Sequence, residues 1–223
     1  MLIRTSIYLI VDDLLTYILA QDCKPDVRLN RWVNNRSGRM RTVIFIALLS
    51  IGYAAHAAAD TVDERQQQAV ALADRFVGQL KPQLKKAMTE GGPTHAIAVC
   101  ADIAPNIADA LSADPDWLVK RVSLKSRNAS RAVPDTWERN VLLDFDRRQA
   151  AGEAAEQLLY GEVINGQYRY MQAQVVEPLC LVCHGEELAD DVQETLQQYY
   201  PDDWATGYKL GEVRGAISVS GDL

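Results

Sequence analysis

Residues 165–185 read NGQYRYMQAQVVEPLCLVCHG. Asn165-Gly166 is the pair that a two-residue hairpin turn favours, because both of its central positions need positive φ. Gln167 to Val176 reads as the strand that leaves this turn. Pro178 and Gly185 then bracket Cys180-Leu181-Val182-Cys183-His184 and place that pentapeptide on a turn. After the glycine break, Gly185 to Tyr200 reads as a helix.

Working outward, Thr61 to Thr89 carries Ala69, Ala73, Phe76, Leu80 and Leu84 at helical spacing, with Pro82 expected to bend or divide the helix. Gly91-Gly92-Pro93 stops it, and Thr94 can cap a second helix from His95 to Leu111, kinked at Pro105. Ile97, Cys100, Ala101, Ala104, Ala108 and Leu111 share one face of that helix. Trp117 to Lys125 alternates as a half-buried strand, with Leu118, Val122 and Leu124 expected on one side. Ser126 to Pro134 reads as a polar loop. Thr136–Gln149 and Gly152–Leu159 read as helices, and Glu212 to Ser220 as a last strand. Helices and antiparallel-type strands without a βαβ rhythm predict an α+β fold.

Composition narrows the classes of function. The 223 residues are 48% hydrophobic and 24% charged, which is ordinary globular usage. A net charge of −7 argues against nucleic acid as partner, since phosphate needs a basic face. Four cysteines are too few to staple a chain this long.

Near the N-terminus, Thr42 to Ala55 is an apolar run behind Arg36, Arg39 and Arg41. The small-residue stretch Ala55-His56-Ala57-Ala58-Ala59 comes after it. This three-part order predicts a secretory signal peptide over 40–59. The run is shorter than the ~20 apolar residues of a membrane span. Met40 stands where such a leader would begin, so residues 1–39 read as a start codon placed too early or as an extension. Residues 1–57 hold seven of the 23 basic and four of the 30 acidic residues, so cleavage there leaves a net charge of −10. The mature chain, 60–223, is expected outside the cytoplasm, in a bacterial periplasm, with no membrane span. It keeps three cysteines (Cys100, Cys180, Cys183) and two histidines (His95, His184).

C-x-x-C-H is the attachment motif of c-type haem. Cys180 and Cys183 are spaced to add to the two vinyl groups of one porphyrin, and His184 then lies under the iron. Other uses of the same residues are a thioredoxin-type pair, which lacks its βαβ context here, and a zinc site of Cys100, Cys180, Cys183 and His95. For a haem, the candidates for the second axial ligand are Cys100, His95, Met88 and Met171. Arg127 and Lys125, at a strand end and in its adjoining loop, are candidate partners for the haem propionates, which an acidic chain would otherwise repel. Nothing resembles a distal acid–base pair for peroxide chemistry, so no enzymatic activity is expected.

Several segments together carry a resemblance: Ile97-x-x-Cys100 with Ala104-Pro105, Val122-Ser-Leu-Lys-x-Arg127-Asn128, and Val133-Pro134-Asp135-x-Trp137-Glu138. To these add Cys180 to Gly185, Ala205-Thr206-Gly207-Tyr208, and Gly211-Glu-Val-Arg214-Gly215-Ala-Ile-Ser-Val219. From about residue 62 to the C-terminus the chain resembles the single-haem, PAS-like c-type haem sensors, often found in front of histidine kinases. The resemblance implies a PAS-like antiparallel sheet flanked by helices, with long N-terminal helices. It also implies one covalent haem c ligated by His184 and Cys100, and a role in sensing redox state or a small ligand. A periplasmic electron-transfer cytochrome is the alternative. The family pattern Arg-Asn-Pro is not kept, because Ala129 comes after Arg127-Asn128. No kinase or other output domain comes after Leu223, so a signalling or redox partner protein is expected.

Overall fold

Four strands form one antiparallel sheet in the order β1-β4-β3-β2. They are β1 (Leu118–Val122), β2 (Leu159–Ile164), β3 (Gln167–Val175) and β4 (Val213–Asp222). The helices are α1 (Ser37–Leu111), α2 (Thr136–Ala150), the single turn α3 (Leu181–His184) and α4 (Asp190–Tyr199). This computed structural model describes residues 37–223, with side chains from residue 62. The readings of 1–39 and of a leader over 40–59 lie outside the residues described in full. The compact unit His56–Leu223 contains the sheet and all of the described side chains. Among the described residues no helix is long and apolar enough to cross a membrane.

The α+β expectation holds, and helices cover both sheet faces. Side chains alternate along each strand, so each face recruits its own core. On one face Val119, Tyr168, Tyr170, Ile217 and Val219 pack against Ala69, Leu72, Ala73 and Phe76 of α1. On the other, Val122, Met171, Ala173 and Ala216 pack against Val141, Leu142 and Phe145 of α2. Ile107, Ala108 and Leu111, beyond a break in α1, return to the same cluster as Phe76, so its two arms fold back together.

The break is at Gly92, with φ 72° and ψ −166°, a left-handed conformation that glycine adopts without cost. Pro93 adds to it by barring the helical region to the residue before it. Pro82, Pro93 and Pro105 all lie within α1, but Gly92 alone has non-helical dihedrals, so of the two outcomes expected at Pro82, a bend or a division, the helix is not divided there.

Two other expectations are corrected. Leu118 shares the face of Val122 as expected but is 51% exposed at the strand end, and Val119 is buried on the opposite face. The register decides this: Val119 pairs with Val219 and Val122 with Ala216, which face opposite cores. Gly152–Leu159 is not a helix. It contains a turn at Gly152, a 3-10 turn over Ala155–Gln157, and the start of β2. That strand is a sheet edge whose residues are all exposed or half-buried, so its sequence lacks the alternation that marks a strand. The Asn165-Gly166 turn forms as expected, with both residues at positive φ.

Glu138 ties these layers together. Its carboxylate is fully buried and accepts from Ser218 Oγ at 2.6 Å and from the Asp135 backbone N–H at 2.9 Å. It also pairs with Lys120 Nζ at 3.0 Å. Asp135 returns a bond from the Glu138 N–H, completing a capping box on α2. Replacing Glu138 by Ala strands Lys120 and Ser218 without their anion. We expect Glu138→Ala to lose about 3–5 kcal/mol of stability and Glu138→Gln less, read as a lowered urea midpoint at unchanged slope.

Candidate functional site

The cysteine–histidine turn and the second arm of α1 face one another across an open cleft. Its lining is drawn from α1, β1, the loop after β1, β3, β4 and the cysteine–histidine turn, an extent well beyond the shell of a single ion. Leu80, Leu84, Ile97, Ala104, Val175 and Leu179 give it apolar walls. Cys100, Cys180, Cys183, His184 and Arg127 all line it. All three cysteines are free thiols.

Local chemistry holds the turn in place. A 3-10 turn begins at Pro178, where a missing N–H costs nothing, and runs into α3. Gly185 closes it: its N–H bonds the Leu181 carbonyl at 2.9 Å, and any Cβ there would lie 2.6 Å from that oxygen. The segment Ala205–Tyr208 then lies along the turn. Gly207 N–H donates to Gly185 O and Tyr208 N–H to His184 O, both at 2.9 Å. The Tyr208 ring meets the His184 ring edge-on, with centroids 6.3 Å apart.

His184 is oriented by two bonds of opposite sense. Nδ1 lies 2.6 Å from the Ala205 carbonyl, which only accepts, so Nδ1 carries the proton. Nε2 lies 2.9 Å from Arg214 Nε–H, which only donates, so Nε2 presents its lone pair. Burial pushes the His184 pKa well below its ordinary value, and the Arg214 and Arg127 charges push it further. The ring is therefore neutral at pH 7 and ready to bind a metal through Nε2.

Arg127 braces this arrangement. Its guanidinium donates to the Cys183 and Ala205 carbonyls and pairs with Asp203 Oδ2 at 3.1 Å. Asp203 in turn accepts from the Ala205 N–H at 2.8 Å. Sequence reasoning offers Arg127 as a propionate partner; the structure commits it to the turn. Lys125 does not line the cleft. Its Nζ lies 4.7 Å from the Tyr208 ring centroid and 3.5 Å from the Thr206 carbonyl oxygen.

The candidates for a second ligand separate by position. Cys100 is half-buried and lines the cleft, on the arm of α1 after the Gly92 break. Burial raises its thiol pKa, opposed by the charges of Arg121, Arg214 and Arg127. His95, five positions earlier, is exposed and lies outside the lining. Met88 lines the cleft, whereas Met171 is fully buried in the core on the α2 side. Among the described residues no three His, Cys, Asp or Glu side chains converge on a point that would hold a metal ion, so the zinc set of Cys100, Cys180, Cys183 and His95 is not assembled.

Sequence reasoning missed Arg121 and Arg214, which also line the cleft. Arg214 reaches it through a β-bulge. Gln174 pairs with Gly215 and Val175 with Val213, so Arg214 is the extra residue between them. The bulge shifts the alternation of β4, placing Val213 in the same core as Ala216. Gly215, at φ 157°, allows it: a Cβ there would collide with the Val122 carbonyl oxygen. Besides its place in the Gly211–Val219 motif, which gives it no role, its signal in the sequence is a charged residue beside a glycine inside an apolar strand. Burial and the neighbouring guanidiniums push the Arg214 pKa down to about 9, which leaves it charged at pH 7.

The donor set fits a covalently held haem. Two thiols and a lone pair lie on one turn, a third thiol lines the same cleft, and apolar walls complete it. The comparisons with known proteins agree at the level of fold and family. No curated protein matches the chain. The crystal structure of the cyanobacterial heme-protein Tll0287 aligns with a TM-score of 0.50 at 24% identity, over 74% of this chain and 93% of that one. At that identity the likeness shows the fold. The model of the Tll0287-like family matches residues 52–221, most of this chain, and the chain belongs to that family.

Proposed function

We propose that the chain carries one haem c, bound through Cys180 and Cys183 and ligated at iron by His184 and Cys100, and that it senses redox state or a small ligand outside the cytoplasm. The carrying observation is the His184 ring, which lines the same cleft as Cys100, with Nδ1–H held by the Ala205 carbonyl and the Nε2 lone pair met by Arg214, another residue of the lining. The structural relative is a heme-protein, which supports the cofactor. The sheet with helices on both faces is compatible with a PAS-like domain. The leader pattern at 40–59 supports export, which covalent haem attachment in bacteria requires.

Each residue then has a task. Cys180 and Cys183 tether the group by thioether bonds. His184 donates Nε2, and the Ala205 carbonyl raises its basicity by drawing on the Nδ1 proton. Cys100 supplies a thiolate: burial raises its thiol pKa, the guanidiniums of Arg121, Arg214 and Arg127 oppose that rise, and coordination would remove the proton. When bound, haem supplies a one-electron couple, and a thiolate ligand holds its potential low for a c-type centre. Cys100 lies beyond the Gly92 break, so its bond would tie one arm of α1 to the cysteine–histidine turn. Loss of that bond on reduction would give a partner protein two states to read.

Two experiments test this reading. Protein made with a working c-haem maturation system is expected to keep its haem through acid–acetone extraction and denaturation. Replacing Cys180 and Cys183 together by Ser is expected to abolish that retention, and haem-free wild-type protein would overturn the proposal. Optical and electron paramagnetic resonance spectra in both oxidation states test the second ligand. Cys100→Ala is expected to abolish a thiolate-type ferric spectrum and raise the potential, with His95→Ala close to wild type. A thiolate bond retained in both oxidation states would favour an electron carrier over a sensor.

A further inference from the structure

Six cationic side chains line the cleft of this acidic chain: Lys81, Lys120, Arg121, Arg127, Arg131 and Arg214. Four of them already face a carboxylate. Lys81 pairs with Glu177, Lys120 with Glu138, Arg127 with Asp203 and Arg131 with Asp109. Among the described residues no ion pair joins Arg121 or Arg214 to any carboxylate. Both are half-buried, Arg121 with its Cζ 6.0 Å from the Phe76 ring centroid. A guanidinium drawn out of water without an anion is costly unless something else neutralises it.

The local backbone shows that Arg214 is placed there by construction. It is the bulged residue of β4, and the close approach beside it admits only glycine at 215. Its Nε–H occupies the lone pair of His184 Nε2. That contact cannot persist once the nitrogen binds a metal, and the guanidinium is then left with no acceptor on its Nε–H. A ligand that takes the imidazole must therefore offer Arg214 something in return.

We propose that Arg121 and Arg214 are the anchors for the two carboxylates of the bound tetrapyrrole, and that Arg214 covers the His184 lone pair until that ligand arrives. This rests on the haem reading above and moves the propionate contacts from Arg127 and Lys125 to two residues that sequence reasoning does not single out. Two cations without carboxylate partners match two carboxylates in number. Arginine suits the task because its planar fork binds a carboxylate through two parallel hydrogen bonds.

The test separates carboxylate recognition from haem binding. In a full-length Cys180→Ser/Cys183→Ser background, ferric protoporphyrin IX and its dimethyl ester are titrated in parallel by optical spectroscopy. With both arginines present, the free diacid is expected to bind about 10-fold to 100-fold more tightly than the ester. With Arg121→Gln and Arg214→Gln added, the gap is expected to close, because the diacid loses two anchors that the ester never had, whereas uncovering the His184 lone pair acts on both ligands alike. A gap that survives both substitutions, or equal binding of the two ligands with both arginines present, would overturn the arginine assignment and leave the haem reading standing. Binding of neither ligand, together with no covalent haem on the wild-type chain, would overturn both. A second measurement covers instability of the serine background. In covalently loaded protein, Arg121→Gln/Arg214→Gln is expected to shift the propionate carboxylate bands in the infrared and to move the reduction potential negative, since two cations near the iron are lost. Unchanged bands and potential would also overturn the assignment.

Discussion

The hydrogen bond between His184 Nδ1 and the Ala205 carbonyl is the contact on which the site depends. It selects one tautomer and one ring orientation, and so decides where the second nitrogen offers its lone pair. The carbonyl is held on several sides. Asp203 turns the chain before it, Gly207 and Tyr208 bond back to the cysteine–histidine turn, and Arg127 grips the Cys183 and Ala205 carbonyls together. A single turn of helix is too short to hold itself. The segments 126–128 and 203–208 supply the bonds that it cannot make internally.

The larger fold positions the other half of the cleft. The Gly92 break folds α1 back on itself, so Cys100 stands on an arm anchored by Ile107, Ala108 and Leu111 against the sheet. On the opposite face, α2 and the buried Glu138 network hold β1, β3 and β4 in register. The two walls of the cleft also share one small cluster, in which Ile97 of the α1 arm packs with Val192 and Leu196 of α4 and with Cys183 of the turn.

Electrostatics explain why an acidic chain carries a basic cleft. Four of its cations are matched by carboxylates of the chain itself, and these bonds fix loops and helices. The remaining two have no such task in the protein alone. Arg127 illustrates the difference: it is a cation at the right place, but its charge is already matched by Asp203, and its donors face two carbonyls and, at 3.4 Å, His184 Nε2.

The sequence by itself determined the chemistry that depends on neighbours in the chain. The Cys180–His184 spacing, the Asn165-Gly166 turn, the glycine stop at 91–93 and the span of α2 all come from local rules, and each stands in the structure where those rules put it. The lone Cys100 on an apolar helix face was also legible, though spacing could not choose between it and His95. Only the tertiary structure decided the rest. It placed Cys100 in the cleft lining and left His95 exposed. It made Leu159–Ile164 an edge strand, because pairing with β3 supplies backbone bonds that side-chain alternation does not announce. It gave Arg127 its partners from 76 residues away and delivered Arg214 through a bulge. These outcomes are pairings between distant segments. A sequence read along its length shows which groups need a partner, and only packing in three dimensions decides which partner they meet.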